Sequence, residues 1–393
     1  MSQSIEPTLS FADAARGRWD AVIVGAGPAG AAAAIALARA GVRTLLLDRA
    51  SFPRWKVCGC CLSGAALAGL RELDVLETVR RTDLRHYRLH ASNASVELSL
   101  PRTAAVSREQ LDATLVRAAI DSGAAFLDQA HARFGEASGK PGRVVVRSTK
   151  SANESVEFSA RVVLAADGLG ARRRQGDQTK LHSVSRRARL GFGAVFEAND
   201  SRFEPGVVFM VAGAHGYVGL VRLEDGRVNV AASFDATALR DGSVADLVRD
   251  TLLSSGLTLP ERSPTQGWRG VAPLRRRPSR VTGDRMFVVG DAAGYFEPFT
   301  GEGMGWAIGS ALRVAPIALD AARNGWSRRH ADAWERLHRR TIRRRQRICR
   351  ALAPAIDQPR LVQSFAAVGG ATASLAQFFV RRVNAPLPAG GRL

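Results

Sequence analysis

Two glycine-rich segments lie far apart in this chain. The first, Gly25-Ala-Gly-Pro-Ala-Gly30, has the spacing that lets backbone amides close around a pyrophosphate. The second, Gly290-Asp-Ala-Ala-Gly294 followed by Pro298-Phe-Thr-Gly301-Glu-Gly303, sets the carboxylate of Asp291 at a strand end before a turn into a helix. The first pattern is shared by proteins that hold NAD, NADP or FAD. The second supplies what a ribityl chain and a flavin ring need, a carboxylate for hydroxyls and backbone amides for a ring carbonyl. Together they point to bound FAD and to redox chemistry carried by the cofactor.

The elements that must position these groups are readable from their flanks. Residues 21–24 read as a short buried strand, 31–39 as an alanine-rich helix and 42–47 as the next strand, so the first motif sits at a strand-to-helix turn. There Gly25 allows the turn, Gly27 lets the backbone approach phosphate and Gly30 lets helix and strand pack closely. Pro28 and Ala29 belong to the same cofactor-binding turn before the helix, whose N-terminal amides face the phosphates. Asp48 ends the second strand at the separation expected for an acid binding a ribose hydroxyl, with Arg49 beside it.

A chain of 393 residues with 46% hydrophobic content has length for two or three globular domains. Residues 21–38 carry no charge, yet the glycine motif interrupts them and Asp20 stands where a basic flank would mark a signal or span. The expected location is cytoplasmic. The 4 cysteines, three of them at Cys58, Cys60 and Cys61, form no disulfide framework. A net charge of +20 raises an anionic membrane or an acidic carrier as a peripheral partner, especially across residues 328–350, read as one helix with Arg339, Arg340, Arg343, Arg344 and Arg345. Because nearly all of that charge is arginine, genome-driven composition explains it equally well, and nucleic acid is not expected as a partner.

The order of elements implies an α/β chain: a Rossmann-like FAD-binding domain of the glutathione reductase type, interrupted by an antiparallel β-rich substrate domain and followed by C-terminal helices. Residues 1–18 read as a flexible lead-in. The FAD-binding domain takes 19–84, 104–173 and 272–345, the substrate domain 85–103 and 174–271, and a helical segment 346–393. A hairpin over 144–147 and 155–158 is followed by a separate buried strand at 161–166. Ser107 caps a helix running to 122.

These motifs resemble those of FAD-dependent oxidoreductases with the p-hydroxybenzoate hydroxylase fold, and within them the geranylgeranyl reductase-like branch. Besides the two glycine motifs, Ala165-Ala-Asp-Gly-Leu-Gly-Ala-Arg172 is similar to the family's Asp-Gly block, and Phe52-Pro-Arg-Trp-Lys-Val-Cys-Gly59 is similar to the branch's Lys-x-Cys-Gly-Gly stretch beside the flavin. The resemblance implies that Asp291 binds ribityl hydroxyls and that amides around Gly303 and Met304 face the flavin pyrimidine. It also implies that Arg108 pairs with pyrophosphate, that Asp167 lies between FAD and an incoming NADPH or NADH, and that Lys56, Cys58 and Gly59 run beside the ring. Two departures stand out. The branch's Tyr-x-Trp-x-Phe-Pro reads Tyr217-Val-Gly-Leu-Val-Arg222 here, and its second glycine is Cys60. No Trp-x-Trp-x-Ile-Pro of flavin halogenases is present.

Cys58-Gly-Cys-Cys61 has no second Cys or His group at ligand spacing, so no metal is expected. A flavin-facing thiol at Cys58, its pKa lowered by Arg54 and Lys56, is one candidate proton donor and Tyr217 the other; small-residue packing is the alternative for all three thiols. The expected activity is reduction of a carbon–carbon double bond in a lipophilic or aromatic small molecule by hydride from reduced flavin, with NADPH, NADH or another reductant as donor. An aromatic hydroxylase is the alternative. A basic membrane- or nucleic-acid-binding protein with a vestigial FAD fold is the distant one.

Overall fold

The computed structural model describes residues 4–92, 94–134, 144–151, 154–170, 183–184, 189–197, 202–240, 242–271, 273–277, 280–296 and 301–356. Eight helices lie along these residues: α1 (Phe11–Arg16), α2 (Pro28–Arg39), α3 (Gly64–Glu72), α4 (Arg108–Asp121), α5 (Val244–Leu253), α6 (Gly303–Asn324), α7 (Arg328–Arg340) and α8 (Ile342–Ile356).

Five parallel strands form the first sheet's centre, in the order Met286–Val288, Glu154–Ala165, Trp19–Val24, Thr44–Leu47, Ala125–Leu127. They read as continuous apolar runs because helices cover them. The strand Glu154–Ala165 does two jobs. Its first half pairs antiparallel with Val144–Ser151, and its second half pairs parallel with Trp19–Val24. The expected hairpin arm and separate strand are thus one element, since its inner alternation runs on past Ala160 without a turn residue.

The alanines of α2 are buried against α6, where short side chains let helices approach. Close approach also governs the first motif. A Cβ on Gly30 would lie 1.7 Å from the Gly25 carbonyl oxygen, so no other residue fits there without moving the turn.

A second sheet carries the strands Arg269–Val271, Leu190–Phe196, Val228–Phe234, Gly216–Arg222, Val207–Gly213, Thr82–Ala91, Ala94–Ala105 and Cys61–Leu62, in that order. It was expected to be antiparallel, and it is so except where Val207–Gly213 runs parallel to Thr82–Ala91. One face, with Phe209, Val211, Val218, Val230 and Phe234, is covered by α5. The opposite face turns toward the cysteine loop.

Residues 4–18 are not the flexible lead-in expected from sequence. Ile5 is buried and pairs with Phe52, and α1 is capped by Ser10, whose hydroxyl accepts from the Asp13 amide at 3.1 Å. The arginine-rich stretch is two helices rather than one, divided at Thr341.

Candidate functional site

The first motif places Gly25 at φ +102°, ending the strand with its amide bonded to Leu47 O at 2.7 Å. Gly27 precedes α2 in an open position. A Cβ there would lie 3.7 Å from a guanidinium nitrogen of Arg108 and 3.8 Å from one of Arg54. Two cations therefore face the N-terminus of α2, whose own amides add positive potential. Pro28 and Ala29 are the buried first residues of that helix.

Asp48 is buried, with one carboxylate oxygen accepting from the Ala26 amide at 2.8 Å and the other from Ala50 at 3.0 Å. A carboxylate offers about four acceptor sites, so it both fixes the glycine turn and keeps capacity for a hydroxyl. Arg49 next to it is exposed.

Arg108, the first residue of α4, forks onto Asp112 one turn later at 3.0 and 2.6 Å, and Arg54 reaches the same carboxylate at 3.1 Å and Asp48 at 3.5 Å. Arg54 also lies 4.7 Å from the Phe52 ring centre, and no described residue hydrogen-bonds its buried Nε. Sequence reasoning missed Asp112 as a member of this cluster and used Arg54 only as a charge. The i, i+4 spacing of Arg108 and Asp112 was the available signal.

The second motif closes against the first. Gly290 has φ +61°, and a Cβ on it would lie 2.8 Å from that of Ala29; its amide donates to Ser310 at 2.9 Å. Asp291 follows at the strand end. Burial pushes its carboxyl above the ordinary range, opposed by the charges of Lys56 and Arg108. Burial lowers the Lys56 pKa, as do Arg108 and Arg54, and its Nζ lies 3.2 Å from where a Gly168 Cβ would stand. Asp167 precedes that glycine at the end of the long central strand. Gly301 backs onto Cys61, while Gly303 and the buried Met304 begin α6, whose N-terminus has no side-chain cap. Pro298 lies outside the described residues.

The cysteines divide by environment. The thiol of Cys60, hydrogen-bonded to Cys58, and the Arg108 guanidinium hold the Cys58 pKa well below the usual thiol range, against the upward pull of burial. The cation with the largest effect is Arg108, ahead of the expected Arg54 and Lys56. Cys60 is raised by that same hydrogen bond and by burial, and burial with the Cys58 charge pushes Cys61 up to about 12. Cys60 has φ +57°, the left-handed conformation a glycine adopts freely, which explains a glycine at this position in the reductase branch. Gly59 is exposed with open space around it.

Tyr217 lies on the sheet face that meets this loop. It borders the same apolar cluster as Trp55, Cys58 and Cys61, with the Arg189 guanidinium 6.0 Å from its ring centre. In register beside it run Gly191 and Ser233, and one row over Gly193, Ala231, Gly219 and Met210. At Gly219, where the branch has tryptophan, a Cβ would lie 3.2 Å from the Met210 methyl. Methionine occupies the space instead.

These features fit FAD. The glycine turn admits a pyrophosphate, two guanidiniums face it, and a carboxylate and an uncapped helix N-terminus wait at the far end. A family model described as an FAD binding domain matches residues 18–333. The menaquinone reductase of Mycobacterium tuberculosis is 30% identical over 92% of this chain and 90% of its own length. Digeranylgeranylglycerophospholipid reductase 1 of Methanopyrus kandleri is 29% identical over 89% and 94%. Among solved structures, a flavoprotein/dehydrogenase from Cytophaga hutchinsonii shares the fold, with a TM-score of 0.79 at 15% identity and coverage of 94% and 93%.

Proposed function

Because the chain belongs to the FAD-binding-domain family and is an FAD-dependent oxidoreductase, we propose that it adds two hydrogens across a carbon–carbon double bond of a polyprenyl-bearing lipid. The observation that carries this reading is the sheet face that meets the cysteine loop, where the half-buried Gly219 and Ala231 form a narrow apolar floor beside Met210 and Val221, with Val57 covering Gly193. Such a floor suits a flat isoprenoid segment better than a charged metabolite. Relatives named as reductases of menaquinone and of a digeranylgeranyl phospholipid support the same class.

When bound and reduced, FAD supplies the hydride. The rest is the work of the chain. Gly25, Gly27 and Gly30 with Arg108 and Arg54 hold the pyrophosphate, Asp48 a ribose hydroxyl and Asp291 the ribityl hydroxyls. Amides at Gly303 and Met304 stabilise negative charge on the pyrimidine. The proton for the second carbon comes from Tyr217 or Cys58. A thiol brought toward neutrality by Arg108 and Cys60 can both give and take a proton.

NADPH or NADH is the reductant on this reading, entering past Asp167. The lipid is met at a membrane surface approached peripherally through the exposed Arg339, Arg340 and Arg344; no described helix is long and apolar enough to cross a bilayer.

The test is anaerobic. Photoreduced holoprotein is mixed with menaquinone or with an unsaturated polyprenyl lipid, while flavin absorbance and product mass are followed. Reoxidation with a product heavier by two hydrogens is expected. Reoxidation only in air, with an oxygen atom in the product, would establish the hydroxylase alternative.

A further inference from the structure

A cavity of about 220 Å³ lies where α7 and α8 meet the turn that follows Asp291. Its described lining includes Arg276, Arg280, Arg339, Arg343, Arg347 and Arg350 against one carboxylate, Glu335. Glu335 is itself engaged, accepting from the Thr282 hydroxyl at 2.9 Å. Arginines 343, 347 and 350 recur every three or four residues along α8, with Arg339 just before the break at Thr341, so like charges gather on one side of the cavity. Such pairs destabilise a helix by a few tenths of a kcal/mol each. The apolar packing of α7 and α8 rests on Trp334 and Ile342, and within that line Arg350 lies 5.4 Å from the Phe296 ring centre.

The wall is built rather than merely charged. Gln346 is buried and donates to the Gly294 carbonyl at 2.9 Å, tying α8 to the residue that follows the Asp291 turn. His338, 4% exposed, lines the same cavity, and no described group hydrogen-bonds its Nε2. Burial, and then the Arg343 charge, hold its pKa down at about 4, so near neutral pH the ring is uncharged and in its Nε2–H tautomer offers a donor. Arg276 donates to the Leu169 carbonyl, which fixes its guanidinium at the cavity.

Planar guanidinium forks match phosphate oxygens two at a time, and a buried neutral donor adds a directional bond. At this size the cavity is below the roughly 300 Å³ at which drug-sized pockets begin, which suits a head group rather than a whole cofactor. We infer that this cavity binds a phosphate ester, a phosphate monoester or diphosphate carried by a larger molecule. The inference goes beyond the reductase reading and does not rest on it. The carrier can be a soluble nucleotide or a phospholipid, and both present the same chemistry.

Inorganic pyrophosphate is the probe, titrated calorimetrically into FAD-loaded protein at ionic strength held constant with chloride. Saturable binding is expected, weakened about tenfold or more in Arg339→Gln/Arg343→Gln and in Arg276→Gln, the scale of one lost charged hydrogen bond. FAD content of the double variant should match the parent, because Arg339 and Arg343 lie outside the glycine motifs, and its unfolding midpoint is measured beside the parent's to show that it is folded. If Arg276→Gln folds poorly, the double variant decides alone. Two further arms identify the carrier. Loss of a preference for NADPH over NADH in the variant indicates a nucleotide, and loss of binding to phosphatidylcholine vesicles containing phosphatidic acid, but not to vesicles lacking it, indicates a lipid. Absence of saturable pyrophosphate binding in the parent, or equal binding in parent and double variant, overturns the site.

Discussion

Asn229, on an inner strand of the second sheet, donates a 3.0 Å hydrogen bond to the carbonyl of Cys58. Asn229 is 2% exposed, so this amide is a buried polar group spent on joining the second sheet to the loop beside the second glycine motif. Asn229→Leu keeps the volume and removes the donor. Leaving the Cys58 carbonyl unsatisfied should cost about 1 to 3 kcal/mol in denaturant unfolding of the FAD-loaded protein. Asn229→Gln, which can still donate, should recover part of that loss. Equal stability of parent and leucine variant would mean that the loop is held by its apolar contacts alone.

Asp112 supports a second test. It is fully buried and serves two guanidiniums, Arg108 and Arg54. Asp112→Asn takes the carboxylate from Arg108 and leaves Arg54 with Asp48 at 3.5 Å, and removing one partner of a buried ion pair costs about 3 to 5 kcal/mol. The loss should be large without FAD and smaller with it, because the pyrophosphate brings negative charge to the same guanidiniums. Unfolding curves with and without FAD measure this. If FAD stabilises the variant no more than it stabilises the parent, the pyrophosphate does not sit against Arg108 and Arg54.

The parts legible in the sequence are those fixed by local geometry. Gly30 answers to the Gly25 carbonyl within one short segment, Gly25 and Gly290 answer to turns at positive φ, and Ser107 answers to a helix start, with its hydroxyl accepting from Gln110 at 3.1 Å. What depends on distant partners was not legible. Asn229 gives no signal beyond a polar residue in an apolar strand, and the parallel pairing of residues 207–211 with 86–90 is a long-range choice. α1 is a six-residue helix, too short for a periodic pattern. The cavity beside α8 assembles arginines from residues 276 and 280 as well as from α7 and α8. A reading along the chain sees only the run.

Cys58 titration is the third prediction. Its pKa is depressed by the Cys60 hydrogen bond and by Arg108, so the thiolate persists to lower pH than in a free cysteine, whose pKa is about 8.5. Alkylation of Cys58 by iodoacetamide in FAD-free protein, followed by mass spectrometry, should therefore reach half its plateau rate below that value. Arg108→Gln and Cys60→Ser should each move the midpoint upward. The sign for stability is the same as for a salt-bridged carboxylate. The folded pKa is lowered, so this contribution is full above the unfolded pKa and disappears as pH falls through the folded one. A midpoint at or above that of free cysteine would remove Cys58 from consideration as a proton carrier near neutrality.

Asp291 separates cofactor binding from folding. Its folded pKa is raised by burial, which outweighs the pull of Lys56 and Arg108. The folded protein therefore holds this proton more tightly than the unfolded chain, and the charged form opposes folding at every pH above the folded pKa. Asp291→Asn removes that opposition. The FAD-free variant should be as stable as the parent or more so at neutral pH, with the difference vanishing as pH falls below the unfolded value for aspartate, about 3.9. FAD binding should move the other way. An amide accepts ribityl hydroxyls less strongly than a carboxylate, and losing a charged hydrogen bond costs about 1.5 to 3 kcal/mol, roughly ten- to a hundredfold in affinity. Flavin fluorescence titration reads the affinity, and thermal unfolding of FAD-free protein reads the stability. A variant that loses both together would mean that Asp291 is a structural residue of the turn; one that keeps full FAD affinity would put the ribityl chain elsewhere.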